Sequence, residues 1–145
     1  MKYLYYLCIG LIAFILISLA YAKWTNLQEG SDSVLIWQTQ TDEQANVTVA
    51  VTPVDLSPQA KEWKFDVVMN THSVELDQDI AQSAVLIDNS GKEYKSLRWE
   101  GTAAGGHHRE GVLSFSRLTS APKSVELKII GIADAVRTFT WQLDK

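Results

Sequence analysis

From Asn46 onward apolar and polar residues alternate with a period of two, which restricts most of this chain to half-buried β-strands. Val47, Val49 and Val51 alternate with Thr48, Ala50 and Thr52 until Pro53 ends the run. Trp63, Phe65, Val67 and Met69 then alternate with Lys64, Asp66, Val68 and Asn70, predicting a strand with an aromatic-rich inner face. Ala84-Val85-Leu86-Ile87-Asp88 predicts a short buried strand, Asn89-Ser90-Gly91-Lys92 a hairpin turn, and Tyr94 to Trp99 the returning partner. Val112, Leu113 and Phe115 begin another strand. Val125, Leu127 and Ile129 point inward from the next, and Val136, Phe139, Trp141 and Leu143 close the chain. One or two helical turns are expected over Asp77 to Ser83. There Leu76, Ile80 and Ala84 are spaced by four, Asp77 is the expected N-cap and Asp79 sits in the first turn.

About seven short strands, with turn signals spaced as in all-β domains, predict an immunoglobulin-like antiparallel β-sandwich. The Cys–Trp–Cys spacing of antibody domains is absent. The chain divides by pattern into an apolar N-terminus (1–22), a polar connector (23–45) and the sandwich (46–145). The connector is broken only by Val34-Leu35-Ile36-Trp37, which is expected to pack on the domain.

Tyr3 to Ala22 carries no charge and is long enough for a hydrophobic helix. It reads either as a signal peptide ending at Ala20-Tyr21-Ala22, or as a transmembrane anchor that would tie the protein to the membrane. Both readings export the domain, to the outer face of a cell membrane or into a secreted or periplasmic state. The lone cysteine, Cys8, lies within this run, so the domain itself has no disulfide, thiolate nucleophile or Cys-type zinc site. A net charge of -4 with scattered lysines and arginines argues against nucleic acid as a partner.

The chemistry gathers in Trp99-Glu100-Gly101-Thr102-Ala103-Ala104-Gly105-Gly106-His107-His108-Arg109-Glu110-Gly111. His107 and His108, joined by His72 from Asn70-Thr71-His72-Ser73, could bind Zn(II) or Cu(II), with Glu75, Glu100 or Glu110 completing the set. The other reading has the histidines hydrogen-bond main-chain groups and pin a long loop. Gly105 and Gly106 would shape a binding loop, Arg109 could clamp a carboxylate, and Trp99 is most simply core. Arg109-Glu110 otherwise reads as a solvated surface pair. Glu75, Asp77 and Asp79 fail the EF-hand pattern and suit a capped helix start better than calcium. No nucleophile elbow, P-loop or dinucleotide fingerprint occurs, so a non-enzymatic binding or accessory module is expected. Its partner would be a metal at the histidines or, alternatively, a protein or glycan.

The segment Asn70 to Asp77 with its Thr-His-Ser motif, together with Trp99-Glu100-Gly101 and the Gly-Gly-His-His-Arg stretch, resembles an uncharacterised family of small exported prokaryotic proteins. That resemblance runs from about Asn46 to the C-terminus. It implies a prokaryotic, extracytoplasmic setting and no particular chemistry.

Overall fold

The computed structural model describes residues 37–143. Eight strands are present: β1 (Gln40–Gln44), β2 (Val47–Asp55), β3 (Glu62–Thr71), β4 (Ala84–Asp88), β5 (Glu93–Gly101), β6 (His108–Ser116), β7 (Ser124–Ile132) and β8 (Ala135–Gln142). One short helix, α1 (Ile80–Ser83), precedes β4. The strands form one antiparallel sheet in the order β1-β2-β3-β6-β5-β4-β7-β8. Strands β4, β5 and β6 follow one another, and β7 returns to lie beside β4, which is a Greek-key arrangement.

This corrects the expected immunoglobulin-like sandwich. The fold is a nearly closed eight-stranded barrel, because β5 belongs to both halves of the sheet. Its first part pairs with β4 through Glu93, Tyr94 and Lys95, and its second part with β6 from Ser96 to Gly101, with an irregularity between Ser96 and Arg98. A strand that bends and changes partner joins what would otherwise be two sheets. The end strands β1 and β8 then face each other and are bridged by side chains. Period-two alternation is the same in a sandwich and a barrel, so the sequence pattern could not separate them.

The expected inward faces are found. Trp63, Phe65, Val67 and Met69 of β3 and Val125, Leu127 and Ile129 of β7 are all buried, as is Trp141. Phe65 meets Phe115 edge-on with ring centroids 5.8 Å apart, and tilts against Trp141 at 5.4 Å. The barrel interior is filled with side chains, as expected for eight strands.

Two further expectations are revised. Asp79, rather than Asp77, caps α1: its carboxylate accepts from the Gln82 amide N, and the helix has one turn. The second concerns the preceding hydrophobic helix and the membrane partner it would supply. Among the described residues no helix is long and apolar enough to cross a membrane, and the run from Tyr3 to Ala22 lies outside them. Val34-Leu35-Ile36 also lies outside, whereas β1 falls within the stretch assigned to the connector.

Candidate functional site

One end of the barrel gathers nearly all the residues singled out by sequence. The register places Val47 opposite Thr71 and Asn70 opposite His108, so the β1–β2 turn, the end of β3 and the start of β6 share this end. Strand phase decides what enters it. Arg109 lies in step with Leu113 and Phe115 on β6, and therefore points into the barrel, where it is only 2% exposed.

The expectation of a solvated Arg109 is thus overturned. Its Nη1 donates to the carbonyls of Leu76 (2.9 Å) and Gln78 (2.8 Å), and the guanidinium lies 5.8 Å from the centre of the Trp99 ring. Burial pushes the guanidinium below its usual pKa, opposed by the charges of Asp79 and Asp77. The segment that receives Arg109 is a cap. Leu76 and Ile80 are fully buried at the barrel end, and the Leu76 main chain exchanges hydrogen bonds with the glycine loop. Leu76 N donates to Gly106 O (3.0 Å), and Gly105 N donates to Leu76 O (2.8 Å). Both glycines have positive φ, 113° and 76°, which lets the loop fold back onto the cap. Glu75 adds a carboxylate oxygen 2.6 Å from Gly106 N.

Trp99 fits this end for a steric reason. Gly101 and Gly111 face each other across β5 and β6, and a Cβ on either would lie within 2.8 Å of the Trp99 ring. The indole covers the glycine pair and donates from Nε1 to Thr102 O.

The histidines do not converge. His108 Nδ1 lies 2.6 Å from Asn70 Oδ1, and its Nε2 is 3.6 Å from Glu110 Oε2. His107 is exposed, and its contribution to the loop is a main-chain carbonyl that accepts from Thr71 N. His72, just past the end of β3, lines a hollow with Glu43, Asn46 and Thr48 of the β1–β2 turn region. Glu100 is engaged by Arg98. Among the described residues no group of three or more His, Cys, Asp or Glu side chains could hold a metal ion, which corrects the Zn(II) or Cu(II) reading. The ring of His108 is taken by Asn70 and Glu110, and His72 lines a separate hollow with residues of the β1–β2 turn region.

A second buried arginine was missed from the sequence. Arg137 lies in step with Phe139 and Trp141 on β8, which was the available signal, and is fully buried at the same barrel end. It pairs with the Asp42 carboxylate of β1, and donates to the carbonyls of Gln44 (2.8 Å) and Val47 (3.1 Å). Along the same seam Gln40 Nε2 donates to Thr140 O, while Gln40 Oε1 accepts from Thr140 N at 3.1 Å. Gln44 Nε2 reaches Val136 O at 3.4 Å, and Trp141 Nε1 donates to Gln38 O at 2.9 Å. Side chains therefore close the barrel where a main-chain ladder would stand.

No family model matches the chain, and no curated protein does. Among solved structures it is similar to a DUF4426 family protein from Pseudomonas aeruginosa PAO1. The likeness has 12% identity, covers 73% of this chain and 96% of that one, and has a TM-score of 0.44.

Proposed function

We propose that the domain is an extracytoplasmic, non-enzymatic interaction module that receives an extended segment of a protein partner along the edge of β8. The observation that carries this reading is the Gln40 carboxamide. It both donates to Thr140 O and accepts from Thr140 N, the two bonds that a neighbouring strand's peptide groups would make. Alternation turns the main-chain groups of Val136, Thr138 and Thr140 to this one side. Added strands bind through such groups, with alternate side chains supplying specificity.

The outward face of β8 supports the same reading. Val136, Thr138, Thr140 and Gln142 are exposed and uncharged, without the lysine or proline that commonly guards an edge. Val136 (52% exposed) pairs with Ile130 (48% exposed) on β7, leaving an apolar pair for an added strand to cover. Opposite stands β1, a five-residue polar strand with no buried side chain of its own, held to β8 by the Arg137–Asp42 pair and the glutamines. Displacing it uncovers the edge at little cost in apolar burial. The non-enzymatic part of the proposal is supported by the use of Arg109, Arg137 and Trp99, whose hydrogen bonds go to this chain's own main chain and to Asp42 rather than to an open cavity. The apolar run ending in Ala20-Tyr21-Ala22 supports export.

The test uses a nine-residue alternating Val-Thr peptide as probe and amide NMR of the folded protein. Binding should shift the Thr138 and Thr140 amides, and the double variant Gln40→Ala with Gln44→Ala should bind at least threefold more tightly. Saturating peptide that leaves both amides unmoved in wild type and variant overturns the reading.

A further inference from the structure

The outer face of the sheet beside β8 is ordered in rows by the strand register. One row runs from Glu93 through Ile87 and Glu126 to Thr140, and the next from Lys95 through Val85 and Lys128 to Thr138. A third sets Ile130 against Val136. The first row is acidic and the second basic, and both end on an exposed, uncharged threonine at the β8 edge. Resting on the strand-addition reading of β8, we propose that the incoming segment runs antiparallel to β8 and carries three specifying residues at alternate positions. From its N-terminus these are a basic residue opposite Thr140, an acidic one opposite Thr138 and an apolar one opposite Val136.

The direction comes from β1, which already lies along this edge. Gln40 meets Thr140 and Gln44 meets Val136, so β1 runs antiparallel to β8, and a segment that takes its place meets the same main-chain groups. Residues opposite one another in a strand pair share a face, so those opposite Thr140, Thr138 and Val136 project outward with them. The sign at each position follows from the next strand in. Glu126 and Lys128 stand on β7, two strand spacings or about 10 Å from the added strand. The threonine between is short, and long charged side chains lean across it to meet. Glu126 and Lys128 approach each other only to 3.8 Å and both stay part-exposed, so neither is used up by the other. Exchanged charges in the segment would set a base beside Lys128 and an acid beside Glu126. A slip of two residues would again bring like charges together. The rows thus select sequence and register, which surface charge does better than it adds affinity. The Ile130–Val136 pair in the third row favours an apolar neighbour.

Three nine-residue peptides on the alternating Val-Thr scaffold test the proposal. One is neutral, one carries lysine, glutamate and valine at three successive alternate positions, and the last has its lysine and glutamate exchanged. The Thr138 and Thr140 amide shifts of the folded protein at low ionic strength read each affinity. The lysine-first peptide should bind about threefold more tightly than the exchanged one, and the difference should vanish in about 0.5 M salt. The double variant Glu126→Lys with Lys128→Glu keeps the net charge and the exposed pair, so it should fold as wild type and prefer the exchanged peptide. Binding of the neutral peptide with equal affinities for the two charged ones, or a preference that does not invert in the double variant, overturns this proposal and leaves strand addition standing. Failure of all three peptides to move either amide, in wild type and in the Gln40→Ala with Gln44→Ala background, overturns strand addition as well.

Discussion

Arg109 and Arg137 are both buried in one end of the same barrel, yet their charges are handled differently. Arg137 has a counter-charge: Asp42 pairs with it across the seam, and the carbonyls of Gln44 and Val47 take further N–H groups. Among the described residues Arg109 has no carboxylate in contact. Two carbonyls of the cap and the face of Trp99 surround it, with Asp77 and Asp79 acting only from a distance. The difference follows from what each residue joins. Arg137 closes two strand edges that lack a ladder between them, whereas Arg109 pins a cap that its main chain already ties down through Gly105 and Gly106. A buried charge with a specific partner makes both members indispensable, because removing one strands the other.

The largest effect is therefore expected at the seam. Arg137→Met leaves the Asp42 carboxylate without its cation, and should cost about 3–5 kcal/mol, the range for breaking a buried pair. Urea denaturation measures this, and hydrogen exchange should show lost protection in β1 ahead of the other strands. Arg109→Met strands no ion. Leu76 O keeps Gly105 as donor, so the loss should be about 1–3 kcal/mol, the cost of unpaired carbonyls. Its exchange signature should be confined to the cap and glycine loop. Equal losses in the two variants would break the distinction drawn between them.

Asp88 extends the comparison to the opposite sign. It is a buried carboxylate that, like Arg109, has neutral partners among the described residues: Ser90 Oγ and N, Lys92 N and Tyr94 OH. The Ser90 hydroxyl first, and then the Tyr94 hydroxyl and the main-chain donors, hold its pKa down at about 2 against 3.8 ordinarily, outweighing burial. The depressed value means that the unfolded chain binds the proton more readily. The associated stability is present above about pH 3.8 and is lost as pH falls through about 2. Wild-type stability should therefore decline across that window, and Asp88→Asn should flatten the decline. Parallel slopes in the two proteins would show that the hairpin donors do not favour the ionised form.

Much of the fold was legible because burial follows alternation wherever the inward residues are apolar, as in Trp63-Phe65-Val67-Met69. Strand β1 was illegible for the converse reason. Gln40-Thr41-Asp42-Glu43-Gln44 turns polar groups toward the seam, and an inward aspartate matched to an inward arginine erases the hydrophobic signal. Barrel closure was hidden as well, because it depends on β5 changing partner midway, and alternation along one strand records nothing about its neighbours. At this end of the barrel the sequence drew attention to the glycine loop and placed its weight on the histidines rather than on the inward Arg109. Arg109 sat in phase with Leu113 and Phe115, and that phase outranks the general tendency of arginine to stay in water.

The smallest expected effects sharpen this last point, because His107, His108 and Arg109 are consecutive. His107 and His108 are exposed, and the ring of His108 meets Asn70 and Glu110 at the surface. The loop is held by the main chain of His107, by Leu76 with the two glycines, and by Arg109 beneath. His107→Ala and His108→Ala should each change stability by no more than about 0.5 kcal/mol, as is usual for surface substitutions, against the larger loss at the next residue. Thermal and urea unfolding of the three single variants at neutral pH compares them directly. A histidine variant that lost as much as Arg109→Met would return the bracing role to the imidazoles and remove Arg109 from the centre of this site.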